Sequence, residues 1–292
     1  MHRLINVSIL ALLIVVINRS SAAPAAEPSL APILAAPVAG MTEWDHHNLE
    51  RNLRWILSRE RQLLPAPAKV AVFADAGVWH VGVRSIVEAL ETEGVPCRVL
   101  DRSQLRPEVL NAHQALILPG GWAPFQWAAA GETGLSSIKG YVERGGRCLA
   151  ICAGAYLISR ETKYEGKIYP YPLGLYDGTA EGPVPGLAVF PKPGSVSITV
   201  TAAGTRRGLE IISGQRALYS GGPSFVGGTG CEILARYPNG SSAAISRPVG
   251  KGEVILLGVH FERPAPETGD DHAPVPVLAG KVFKTVLFPT PR

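Results

Sequence analysis

The chain has 292 residues, of which 46% are hydrophobic, and a formal charge of +4. That apolar content suits one large folded domain or two small ones, and a basic excess this slight, with no Lys/Arg run, argues against nucleic-acid binding. With 32 glycines and 25 prolines the chain reads as turn-rich rather than as a helical bundle, and cysteines at 97, 148, 152 and 231 lack the spacing of a zinc site.

The amino terminus carries a targeting signature. His2 and Arg3 precede an apolar run from Leu4 to Ile17, and small residues follow as far as Ala23. A short positive head, a run too short for a comfortable membrane span and a small-residue exit predict a secretory signal peptide over residues 1–23. The mature protein is therefore expected to be periplasmic or extracellular, with a membrane tether only if the signal stays uncleaved. Residues 24–41 are rich in Ala and Pro and read as a linker. Residues 42–66 read as a helix and connector, with Thr42 as N-cap and Trp44, Leu49, Leu53, Ile56 and Leu57 near one face. His46 and His47 are adjacent, so on a helix they diverge and do not form a metal pair.

From 67 to 292 the pattern is that of one α/β domain. Strands are expected over Lys69–Ala74, Cys97–Leu100 and Ala115–Leu118, with a helix over Val81–Glu93 ended by Gly94 and a short helix or loop over Gln104–Asn111. A helix over Gly134–Arg144, capped by Gly145-Gly146, leads to the apolar run Arg147–Ile151, the mark of a strand buried on both faces. This alternation predicts a doubly wound, mostly parallel, flavodoxin-like sheet with right-handed crossovers. Tyr164–Arg247 is rich in Gly and Pro. Its β-prone runs Ser195–Thr201, Ile233–Tyr237 and Ala243–Ser246 are expected to add antiparallel hairpins to that sheet. Gly252–Val259 is again an apolar strand, and Val275–Phe288 is a closing helix.

Ligands of such sheets bind beyond the carboxyl ends of the strands. Three loops fall there: Asp75–Trp79, Pro119–Trp122 and the corner at Cys152. Cys152 lies between a strand and a helix of small residues, where the positive helix end favours a nucleophilic thiolate. Taken alone, the stretch suits a small core cysteine equally well. His260 and Glu262 are two apart in an extended segment and face the same way, so the carboxylate reaches one imidazole nitrogen and leaves the other for a partner. If the Gly252 strand lies beside the cysteine strand, then Cys152, His260 and Glu262 complete the order nucleophile, base and orienter. Backbone N–H groups of Ala153 and of Gly120 or Gly121 then serve an oxyanion. Asp75, Trp79 and Trp122 are expected at the pocket as one polar group among aromatic walls. Gly221-Gly222 reads as a tight loop near the site or as a plain turn. Cys148 is expected buried and inert, and a Cys97–Cys231 disulfide is left open.

These motifs have a family likeness. Pro119-Gly120-Gly121, the run from Gly145-Gly146 through Cys152-Ala153-Gly154-Ala155-Tyr156, Asp177-Gly178-Thr179-Ala180-Glu181-Gly182-Pro183 and Tyr219-Ser220-Gly221-Gly222-Pro223 resemble the biotin–protein ligase N-terminal domain family. That family falls within the class I glutamine amidotransferase-like fold. The likeness covers roughly Lys69 to Phe288 and implies the fold and a Cys-His-Glu triad, without a substrate and without biotin ligation. Glutaminases of this fold usually carry a glycine two before the cysteine and a glutamine four after it. Here those positions are Ala150 and Tyr156, and Tyr156 is counted with the substrate-binding residues. A peptidase or chaperone of the same fold usually carries its histidine close to the cysteine, and none follows here. The expected activity is hydrolysis of an amide or similar C–N bond through a thioester, with no cofactor. The alternative is a non-catalytic domain that holds a small amide or carboxylate ligand.

Overall fold

The computed structural model describes residues 68–169, 171, 173–188, 192–263 and 277–289, together with Arg51 and Arg54. The predicted signal peptide and linker lie outside the described residues. Of the predicted helix over 42–64 only Arg51 and Arg54 are described, and both are helical.

The first half alternates as β1 (Val70–Phe73), α1 (His80–Thr92), β2 (Cys97–Leu100), α2 (Pro107–Leu110), β3 (Ala115–Leu118), α3 (Ala123–Glu143), β4 (Arg147–Ile151) and α4 (Ala153–Ile158). The middle is mostly strand: β5 (Ser159–Tyr164), β6 (Lys167–Tyr169), β7 (Tyr176–Gly182), β8 (Gly194–Ser197) and β9 (Thr199–Val200). After α5 (Ala202–Arg206) come β10 (Arg216–Tyr219), β11 (Ser224–Val226), β12 (Glu232–Arg236) and β13 (Ser242–Val249). β14 (Gly252–Leu257) and α6 (Val277–Leu287) follow.

The main sheet has the order β2-β1-β3-β4-β14-β13-β12-β9. The first five strands are parallel and the last three join antiparallel. β1 and β3 are buried along their whole length, as the unbroken apolar runs Val-Ala-Val-Phe and Ala-Leu-Ile-Leu require of strands covered on both faces. Each fully buried Leu or Ile there contributes about 1.5–3 kcal/mol of hydrophobic stabilisation. Around the sheet α1 packs on α6, and α3 on α2 and α4. The fold is thus α/β with a mixed, mostly parallel sheet.

Two expectations need correction. Only β9, β12 and β13 extend the main sheet. The other strands of the Gly/Pro-rich region form separate sheets, β11-β7-β5-β6 and β10-β8, in which β5 and β7 pair in parallel. The predicted helix over 134–144 is the second half of α3, which begins at Ala123 and is broken at Gly131 (φ 62°, ψ 174°). Pro124 sits in the first turn of this helix, where its missing N–H costs nothing.

Candidate active site

Cys152 sits on the corner between β4 and α4 with φ 49° and ψ −105°, a strained conformation for a residue with a side chain. Its backbone N–H donates to the Leu257 carbonyl at 2.8 Å, which ties the corner to the end of the neighbouring strand β14. That strand delivers His260 and Glu262. The His260 N–H donates to the Leu218 carbonyl at 2.9 Å, so the histidine backbone is also held by the end of β10.

The three side chains meet. His260 Nδ1 and Glu262 Oε1 are 2.6 Å apart, and the imidazole also shares a hydrogen bond with the Cys152 thiol. Glu262 is completely buried, His260 nearly so, and Cys152 is buried with 6% exposure. Burial by itself lowers the pKa of His260. The negative charges of Glu262 and then of Cys152, with their hydrogen bonds, overcome it and hold the imidazole up to about 10. Glu262 Oε2 is buried and has no hydrogen-bond partner among the described residues, while Oε1 is engaged by the imidazole. The carboxylate lies beside the first turn of α1: a Cβ on Gly82 would stand 3.7 Å from Oε1.

The glycine loop after β3 is shaped by the same histidine. A Cβ on Gly120 would collide with His260 Cε1. Gly121 (φ 139°) approaches the Gly77 carbonyl just as closely, and a side chain there would strike it. Val78 and Gly121 form an isolated antiparallel bridge whose hydrogen bonds are Trp79 N–H to Gly120 O (2.9 Å) and Trp122 N–H to Gly77 O (2.6 Å). In such a pair the amide of Gly121 itself points away from the Val78 chain.

Sequence reasoning missed the residue that locks this loop. Gln126, fully buried in the first half of α3, donates its Nε2 to the carbonyls of Pro119 (3.1 Å), Gly120 (3.4 Å) and Gly77 (3.4 Å). A glutamine between Phe125 and Trp127 carries no recognisable motif, and the predicted helix begins only at Gly134, past this residue.

Tyrosines fix the opposite wall. The hydroxyls of Tyr156, Tyr219 and Tyr237 donate to the consecutive carbonyls of Gly221 (3.0 Å), Gly222 (2.7 Å) and Pro223 (2.9 Å). Tyr219 also accepts from Val184 N–H at 2.7 Å. The pair Gly221-Gly222 is thus a pinned loop beside the site. Tyr156 acts on that loop through its hydroxyl, with its ring buried.

Asp75 has a different place from the one expected. It is completely buried, and its carboxylate accepts from the Nε and Nη2 atoms and backbone N–H of Arg102 and from Ala76 N–H. It anchors the 75–79 loop as a structural ion pair and does not present its oxygens to a ligand. Trp79 packs edge-on against His260, with ring centroids 5.7 Å apart, and carries Arg263 on its ring. Trp122 is 39% exposed at the start of α3. All four cysteines are free thiols, and burial pushes Cys148 up to about 12, which leaves it inert. A cavity of about 1060 Å³ opens at the other end of the sheet, lined among others by Arg147, Arg207, Glu253 and Lys284. It touches none of the triad, and Arg147 and Arg207 are both engaged by Glu253.

Known proteins agree with this geometry at the level of the fold. A solved glutamine amidotransferase superposes with a TM-score of 0.53 at 22% identity, over 75% of this chain and 99% of that one. An uncharacterised protein of Chlamydia muridarum is 29% identical over 212 residues, spanning 66% of this chain and 80% of its own length. A biotin–protein ligase of Schizosaccharomyces pombe is 29% identical over 187 residues, which is 56% of this chain but 28% of the ligase. The family model described as "Biotin-protein ligase, N terminal" matches residues 68–278, the whole of the sheet and both loops that flank Cys152. The chain belongs to the biotin-protein ligase N-terminal family, built on the class I glutamine amidotransferase-like fold.

Proposed function

We propose that this protein is an exported cysteine hydrolase that cleaves an amide or similar C–N bond through a thioester. The observation that carries the reading is the buried hydrogen-bonded chain from Cys152 through His260 to Glu262, at a strained strand-to-helix corner. The Cys152 sulfur attacks the carbonyl carbon. The N–H groups of Ala153 and Gly121, the first opening α4 and the second facing away from Val78, receive the developing oxyanion. His260 gives its proton to the leaving nitrogen, the C–N bond breaks, and the acyl group remains on sulfur. His260 then takes a proton from water as that water attacks the thioester, and the carboxylic acid and thiolate are released. Glu262 holds the imidazole in the orientation that both steps need. Export rests on the charged head, apolar run and small-residue exit of residues 1–23.

An activated ester tests the chemistry without knowledge of the natural substrate. With p-nitrophenyl acetate the wild type should give a stoichiometric burst of p-nitrophenolate and an acetyl group mapped by mass spectrometry to Cys152. Cys152→Ala should lose the burst, and His260→Ala should slow both acylation and release. An acetyl group elsewhere, or a burst indifferent to His260, would leave the ligand-binding alternative as the better reading.

A further inference from the structure

Tyr156 stands one turn after Cys152 on α4, its N–H donating to the Cys152 carbonyl at 3.1 Å. The charge of Cys152 acts on Tyr156, Tyr164, Tyr219 and Tyr237. The hydroxyls of Tyr156, Tyr219 and Tyr237 are all committed to the Gly221–Pro223 loop. Tyr164 differs. It ends β5 and is half-buried, with its ring edge-on to that of Tyr156 at 5.9 Å, and its hydroxyl has no hydrogen-bond partner among the described residues. That hydroxyl stands over the bare Cα of Gly221, where a Cβ would come within 3.1 Å of it. The backbone under the pair is firm: Tyr164 is in register with Gly182, and a Cβ on Gly182 would collide with the Tyr156 hydroxyl.

Resting on the reading of Cys152 as nucleophile, we propose that Tyr164 is the substrate-contacting residue of an aromatic subsite beside the thiol, which binds an uncharged carboxamide through the Tyr164 hydroxyl. A phenol donates one hydrogen bond and accepts others, which matches the carbonyl and N–H₂ of a carboxamide, whereas a carboxylate offers acceptors only. Burial first, then the charges of Glu165 and Cys152, raises the Tyr164 phenol, so it stays protonated and a donor at neutral pH. An ionic group set against the rings of Tyr156 and Tyr164 would lose hydration that those rings do not replace.

Two small reagents separate the roles. Iodoacetamide carries a carboxamide: the thiolate forms a C–S bond, the C–I bond breaks and iodide leaves. Methyl methanethiosulfonate carries none: an S–S bond forms and methanesulfinate leaves. Tyr164→Phe removes only the hydroxyl, and its fold is checked by the melting temperature. The assignment predicts that Tyr164→Phe slows modification of Cys152 by iodoacetamide about tenfold, the worth of roughly one good hydrogen bond, and leaves methyl methanethiosulfonate unchanged. Equal slowing of both reagents would mean that Tyr164 acts on the thiol, and no change in either would remove it from the site; each result overturns the proposal. His260→Ala, run in parallel, should slow both reagents. Its failure to do so would sink the nucleophile reading, while the reagent ratio in Tyr164→Phe would still decide the subsite.

Discussion

Cys152 and His260 stand at the carboxyl ends of the neighbouring parallel strands β4 and β14, and the Cys152 N–H donates to Leu257, three residues before the histidine. The two side chains are thus brought together by neighbouring strand ends, with the Leu218 bridge holding the His260 backbone. Sites held on regular elements are positioned more tightly than sites on loops.

The first expectation concerns His260 itself. Its raised pKa of about 10 predicts that the imidazole stays charged through neutral pH. In proton NMR its Cε1 resonance should show no transition near pH 6.5, the ordinary value for histidine. In Glu262→Gln burial, which lowers the pKa, gains ground, and the transition should move down toward neutral pH. The sign carries over to stability. The folded value lies above the unfolded one, so the contribution of this group is complete below about pH 6.5 and is lost as pH rises through about 10. The stability difference between wild type and His260→Gln should shrink across that interval.

Gly120→Ala inserts a methyl group into the space of His260 Cε1. Overpacking at a buried site costs about 1–3 kcal/mol. The more telling effect is on the imidazole, which must turn away from the thiol. Acylation of Cys152 by p-nitrophenyl acetate should fall by about 10²-fold, the low end of what a displaced general base forfeits. A variant that acylates at the wild-type rate would contradict the contact.

Asp75→Asn should affect stability and not chemistry. The carboxylate is buried against Arg102, and removing its charge leaves the guanidinium underpaired, at a cost of about 2 kcal/mol or more. Denaturant unfolding should show that loss while the acylation rate of the folded variant stays near that of the wild type. A selective loss of activity would return Asp75 to the pocket.

Tyr219→Phe removes the group that accepts from Val184 N–H and donates to Gly222 O. Both partners are buried, so unfolding should become easier by about 1–3 kcal/mol. If the loop matters to the site, hydrogen exchange at Gly221 and Gly222 should rise in step with a slower acylation. Unchanged exchange would show that the loop does not depend on this hydroxyl.

The sheet was largely legible in the sequence because unbroken apolar runs such as Ala115–Leu118 and Arg147–Ile151 have few uses other than doubly covered strands. That Cys152, His260 and Glu262 come together was legible for a related reason: a cysteine among small residues at a strand end, and a histidine and glutamate two apart, are local signals. What the sequence concealed depends on contacts between distant segments. Gln126 gains its role only because α3 begins at Ala123 and swings beneath Pro119 and Gly120. Asp75 reads as a pocket residue until Arg102, far along the chain, closes on it. The satellite sheets were misread as extensions because β-propensity marks a strand without naming its neighbour.

The most direct test of the central claim is the rate of iodoacetamide alkylation at Cys152 against pH, mapped by mass spectrometry, in wild type, His260→Ala and Glu262→Gln. A thiolate–imidazolium pair predicts rapid labelling well below pH 8 in the wild type. Both variants should lose that acid-side reactivity, and labelling in them should need alkaline pH. Labelling that requires alkaline pH in the wild type, or that ignores both substitutions, would contradict the triad as a catalytic unit.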